Sequence, residues 1–237
     1  MKFQLLAALP LLALVACNQQ VEAPSEEDAA RLAATERLMG LETCADAERD
    51  YGSQLTQLTP CRLELGTGKP SFVISSDTII ASDTESLGTF RAELAGEGGA
   101  SLQLIEEKVE VAFSYPTLED IDGDLQPDLL IPLYTAMVNT NYALWLQGSD
   151  GLFTRAGEIA GYSIGMAPNG MIAATGRSSA AEWETQFYQI TGGKLDEVAV
   201  VVNRLNEDGS TEECRVIRVA EGFNPAPFCE ASASYPG

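Results

Sequence analysis

Residues 119–131 read Glu119-Asp120-Ile121-Asp122-Gly123-Asp124-Leu125-Gln126-Pro127-Asp128-Leu129-Leu130-Ile131. The two halves of this stretch pull in opposite directions. Counted from Asp120, aspartates stand at positions 1, 3, 5 and 9, and Asp and Gly are turn formers. Leu129, Leu130 and Ile131 then follow without a polar break, the mark of a buried strand fed directly by the loop. An acidic loop that empties into a buried strand belongs on a β scaffold, and the flanking sequence supplies one.

Beyond Cys61 the chain alternates polar and apolar residues in short runs. Strands are expected at 71–75, 78–81, 101–106, 108–114 and 128–134, then at 142–147, 152–155, 171–175, 183–190, 195–204 and 213–219. Asp150-Gly151, Asn169-Gly170, Gly192-Gly193 and Asp208-Gly209 fall between or just before these runs and offer the positive φ that tight hairpins need. Gly96, Gly98 and Gly99 read as an exposed, flexible turn. Consecutive hairpins predict an antiparallel meander and not a βαβ fold. Upstream, Ser25 is placed as an N-cap before Glu26, Glu27 and Asp28, with Leu32, Ala33, Leu38 and Met39 on one face and Gly40 as the stop. A short second helix is expected around 44–49. The expected fold class is mainly β, an antiparallel meander of small propeller-like form or a β-sandwich, with an N-terminal helix.

Acids dominate the chain: 35 Asp+Glu against 14 Lys+Arg in 237 residues, a net charge of −21. Its isoelectric point is about 4.1. Nucleic acid is a poor partner for such a surface, because phosphate binding needs clustered cations. Histidine is absent, which excludes Ser-His-Asp and Cys-His catalysis and His-ligated zinc or haem. The 45% apolar content is that of a globular protein rather than a disordered acidic tail.

The Asp120 loop carries the chemistry. Two carboxylates 4 Å apart repel by about 1 kcal/mol in water and about 4 kcal/mol at an effective dielectric of 20. Asp120, Asp122, Asp124 and Asp128, with the Gln126 carbonyl, form an oxygen-only donor set suited to a hard cation, and a roomy flexible loop suits Ca²⁺ over Mg²⁺. An EF-hand needs Gly at position 6 and Glu at position 12, where this chain has Leu125 and Ile131.

Met1-Lys2, an apolar run from Leu5 to Val15 broken at Pro10, and then Leu14-Val15-Ala16-Cys17 have the parts of an export signal too short to span a bilayer. Cys17 after Leu-Val-Ala resembles a bacterial lipobox. That resemblance implies cleavage before Cys17, lipid on its thiol and acylation of its amine, and Asn18 after it favours the periplasmic face of the outer membrane. The expected organisation is a signal peptide over 1–16, a lipidated Cys and tether over 17–25, a helical segment over 26–60 and a β-rich calcium-binding domain over 61–237. Cys44, Cys61, Cys214 and Cys229 then remain, an even number that reads as two disulfides in an exported protein. Three pairings are open; the local one closes two loops of similar length.

Asp120-Ile121-Asp122-Gly123-Asp124-Leu125-Gln126-Pro127-Asp128-Leu129 resembles the calcium loops of FG-GAP and VCBS repeats of integrin-type propellers, with Leu125 where those have Gly. Downstream, Asn141 to Leu146, Gly151 to Arg155, Glu158-Ile159, Phe187-Tyr188 and Gly193-Lys194-Leu195 are similar to a family of periplasmic lipoproteins with one such loop. Some members of that family are immunity proteins, related to lysozyme inhibitors, that block peptidoglycan-cleaving effectors. The resemblance implies a lipid-anchored, calcium-binding protein of the envelope that binds or inhibits a protein partner, with a cationic cell-wall hydrolase as the partner class. The alternative is a structural envelope lipoprotein with a purely stabilising calcium site. No catalytic residues are expected, and enzyme activity is not.

Other signals are weaker. Gly66-Thr67-Gly68-Lys69-Pro70-Ser71 lacks the spacing of a phosphate loop and reads as a turn. Glu106-Glu107 and Glu212-Glu213 read as solvated strand ends, and Trp145 and Trp183 as sheet packing.

Overall fold

The computed structural model describes residues 25–47, 58–80, 86–110, 115–136, 138–206 and 211–234. The expected lipobox Cys17, the expected tether before Ser25 and the expected turn at Asp208-Gly209 lie outside these residues. Helix α1 (Glu26–Met39) begins directly after Ser25, whose carbonyl accepts from Ala29 N at 2.9 Å. It ends before Gly40, as expected. The strands that follow form three antiparallel meanders in chain order. Sheet 1 holds β1 (Cys61–Glu64), β2 (Ser71–Ile80), β3 (Ser86–Ala95) and β4 (Ser101–Glu110). Sheet 2 holds β5 (Thr117–Glu119), β6 (Asp128–Ala136), β7 (Asn139–Gln147) and β8 (Phe153–Gly161). Sheet 3 holds β9 (Ser163–Met166), β10 (Ile172–Arg177), β11 (Glu182–Thr191), β12 (Lys194–Leu205) and β13 (Thr211–Val219), and α2 (Ala226–Ser234) follows it.

The sheets stack face to face, and sheet 2 is the middle layer. Leu129, Ile131, Leu133 and Ala143 point into one core with Phe72, Ile74, Phe90 and Ile105 of sheet 1. Leu130, Leu144, Ala156 and Ile159 point the other way, onto Ile172, Ala174 and Tyr188 of sheet 3. This is why β6 has no polar alternation: a strand covered on both faces is apolar throughout. Each Leu, Ile or Phe among them contributes about 1.5–3 kcal/mol when fully buried. The outer face of sheet 3, with Ala173, Phe187 and Val201, is closed by Phe228 and Ala231 of α2. The result is mainly β and meandering, as expected. Its three-layer stack is blade-like rather than a two-sheet sandwich, and among the described residues no barrel closes.

The turns follow the glycines. Gly192 and Gly193 have φ of 58° and 76° and join β11 to β12 in two residues. Gly151 at φ 79° closes the β7–β8 hairpin, where Gly151 N donates to Gly148 O at 2.8 Å.

Several expectations need correction. The Gly96–Gly99 segment is not a free turn: it forms a short 3₁₀ turn, Glu97–Gly99, packed against α1, and a Cβ on Gly99 would stand 2.7 Å from Ala34 Cβ. Residues 43–46 form a turn, and Thr43 bridges Arg62 in parallel, so within 41–47 the chain is a strap on β1 and not a helix. The remainder of the expected second helix, 48–49, lies outside the described residues. Strands β1, β3, β5 and β9 and helix α2 were not expected from the sequence.

The cysteines adopt the local pairing, Cys44–Cys61 and Cys214–Cys229. The first ties the strap to β1 and the second ties α2 to β13. In the chain-entropy model each loop closure stabilises by about 3 kcal/mol. Two structural disulfides indicate an oxidising compartment. Among the described residues no helix is long and apolar enough to cross a membrane.

Candidate metal centre

The acidic loop spans the gap between β5 and β6, and two buried residues fix its base. Ile121 is fully buried in the core between sheets 2 and 3. Asp128, the first residue of β6, is also buried, and its two oxygens accept from Ile121 N and Gln147 N, each at 3.0 Å. One carboxylate thus joins the start of the loop, its end and the neighbouring strand β7.

Above this base the aspartates shape the backbone. Asp120 accepts from Gly123 N at 2.8 Å and Leu125 N at 3.1 Å. Asp122 accepts from Asp124 N at 3.1 Å. Asp124 accepts from Gln126 N at 2.7 Å and from its Nε2 at 2.8 Å. Each acid caps a donor a few residues on, the local bonding that lets Asp replace regular secondary structure. Gly123 and Leu125 complete the curl at φ 82° and 69°. A left-handed conformation costs a non-glycine residue about 1–2 kcal/mol. Leu125 stands at φ 69°, a conformation that glycine adopts without that cost.

The structure brings Asp120, Asp122 and Asp124 together, with one oxygen from each within 4.8 Å of the others. Asp128 is not in that group; it sits at the loop's foot, bonded to backbone, and keeps lone pairs beyond the two it uses. The Gln126 side chain is turned onto Asp124. No Lys or Arg forms an ion pair with any of the loop acids among the described residues. The electrostatic cost shows in two groups. Burial raises the Asp122 carboxyl above the usual range, and the charges of Asp124 and Asp120 add to the rise against the Asp124 N–H. Burial pushes Asp128 up to about 6, although the Gln147 and Ile121 N–H groups pull the other way. A hard divalent cation would fit this donor set, because it would supply counter-charge to converging carboxylate oxygens.

Sequence reading missed two residues that hold the site. Ile121 is the loop's apolar anchor; an isolated Ile between aspartates was its signal. Met166 of β9 lies against the loop, since a Cβ on Gly123 would approach its Cε to 3.0 Å. Nothing local in the sequence joins these two, because β9 belongs to the next sheet.

No protein-family model matches the chain, and no match was found among curated proteins. Among solved structures, one described as the structure of a Xanthomonas type IV secretion system related protein superposes with a TM-score of 0.42 at 11% identity, over 69% of this chain and 95% of that one.

Proposed function

We propose that this chain is a lipid-anchored protein of the bacterial envelope whose β5–β6 loop binds Ca²⁺. In this reading it acts by binding: it holds or inhibits a protein partner, with a peptidoglycan hydrolase as the class implied by the resemblance to immunity lipoproteins. The observation that carries the metal reading is the convergence of Asp120, Asp122 and Asp124 within 4.8 Å with no protein cation paired to them among the described residues. Asp128 and the Gln126 carbonyl supply the further oxygens of the set. The Cys17 lipid is the anchor, and the two disulfides suit a periplasmic domain.

A purely stabilising calcium site in a structural lipoprotein is the second reading. It draws support from Asp128 and Ile121, which tie the loop to the core rather than to an outward surface.

Thermal unfolding in calcium and in chelator tests the metal. Calcium is expected to raise the wild-type Tm, and Asp122→Ala with Asp124→Ala removes that rise. Equal Tm values for wild type and double variant in calcium would defeat the metal role. Capture of a hydrolase from envelope extracts by the wild type in calcium, and not by the double variant, separates the binding reading from the structural one.

A further inference from the structure

Sheet 1 carries a second feature that the calcium loop does not use. The Gly66–Lys69 turn between β1 and β2 faces the end of α1 across a hollow of about 410 Å³. That is within the range of small-molecule sites, roughly 300–1,000 Å³. Its lining includes the apolar residues Leu38, Met39, Pro70 and Ala95. It also carries charge: Arg62 and Lys69 against Glu64, a local balance of 2 − 1 = +1. In a chain of net charge −21 this sign is the exception.

The state of the two cations matters more than their number. Among the described side chains the other Arg and Lys are ion-paired or donate to hydroxyl or carbonyl oxygens, except Arg37. Lys69 has neither kind of partner there. Its stem lies over the turn, with Cδ 3.7 Å from where a Cβ on Gly66 would stand. Arg62 gives Nη1 to Glu64 at 2.7 Å, yet its Nε is buried with no acceptor. No water-sized group reaches that Nε, so Arg62 acts on the hollow through its charge rather than through this donor. Arg37, the other unpartnered cation among the described side chains, lines a smaller hollow that shares Leu38 and Ala95 with this one.

We propose that this hollow binds a small amphiphilic anion, with a carboxylate or phosphate head held by Lys69 and Arg62 and a short apolar tail against Leu38, Met39 and Pro70. Glu64 opposes the head and sets an upper limit on affinity.

The test is titration calorimetry on the full-length protein with hexanoate, hexyl phosphate, hexylammonium and inorganic phosphate. Saturable binding of at least one hexyl anion, none of hexylammonium, and inorganic phosphate weaker than hexyl phosphate support the proposal. The tighter hexyl anion identifies the head group. Lys69→Glu is expected to weaken that anion roughly tenfold, and Glu64→Gln to tighten it roughly threefold. Both residues are exposed, so neither change threatens the fold. No saturable anion binding, equal binding of hexylammonium, inorganic phosphate as tight as hexyl phosphate, or an unaltered Lys69→Glu variant would each overturn it. Calcium is varied as a control: the hollow lies on sheet 1, so its binding persists in chelator even if the Asp120 loop binds no metal.

Discussion

Glu107 and Asp128 are both acids held largely inside this molecule, and they are balanced in different ways. Glu107, on β4, accepts from Trp145 Nε1 at 2.9 Å and Arg155 Nε at 2.7 Å. Arg155 reaches on to Glu158 at 3.0 Å, where burial is outweighed: hydrogen bonds from Asn141 and Arg155 lower the Glu158 carboxyl. The expectation that Glu107 is a solvated strand end therefore fails, whereas Glu212 and Glu213 do remain exposed. Asp128 has only backbone N–H groups, and it is pushed up to about 6. Where sheet 1 meets sheet 2 the chain supplies its own cation. At the β5–β6 loop it supplies dipoles and leaves the charge open.

Asp128 carries the largest expected effect. Asp128→Ala removes the acceptor for two N–H groups and unties the loop from β7, and is expected to cost about 3 kcal/mol measured by urea unfolding in chelator. Asp128→Asn, which keeps one acceptor oxygen, should lose less. If Asp128→Ala unfolds like wild type, the loop's foot does not hold it. Glu107→Ala comes next, at about 2 kcal/mol, since Arg155 is left without its main partner but is one-third exposed. Its loss should be the same in calcium and in chelator. A loss that calcium repairs would mean that the two sites are coupled, and the contrast drawn between them would fall.

Acid acts on Asp128 directly. The Asp128 carboxyl is raised from 3.8 to about 6 in the folded protein. Between those values the folded state takes up a proton that the unfolded state does not, so stability falls as pH rises through this window. Metal-free protein should therefore become more stable as pH drops from about 6, and Asp128→Asn should flatten that slope. With calcium bound the sign reverses, because the ligands must be ionised and acid releases the ion. Tm against pH, with and without calcium, reads both; parallel profiles would count against metal at this loop.

The contrast also shows what sequence could and could not give. Asp120 to Ile131 was legible because its information is local: spacing, turn formers and an apolar run within one segment. The Gly192-Gly193 hairpin and α1 were legible for the same reason. Strand β3 was not, since Gly88, Ala92 and Ala95 are weak strand formers and its ladder to β2 and β4 makes it a strand. Helix α2 was hidden likewise: its nine residues are too few to stand alone, and Phe228 and the Cys214–Cys229 bond dock it. The Glu107–Arg155 pair joins residues 48 apart, and Gln103 pairs with both backbone groups of Phe153 across 50 residues. Such contacts exist only once the sheets have stacked.

Leu125 offers the smallest effect and the finest discrimination. It sits at φ 69° and is 89% exposed, so it carries the backbone cost of the left-handed region with almost no burial to offset it. Leu125→Gly relieves that cost but gives the unfolded chain more freedom, and the two terms leave a net gain of about 0.5–1 kcal/mol. For a domain of this size that is roughly 1–4 °C in Tm. The gain should appear equally in chelator and in calcium if Leu125 only shapes the turn. If Leu125→Gly leaves Tm unchanged in chelator but raises calcium affinity, the strain is relieved by the ion, and the loop's geometry is set by the metal rather than by the chain of Asp-to-backbone bonds. If the same substitution lowers Tm, the freedom that glycine gives the unfolded chain outweighs the strain relieved at residue 125.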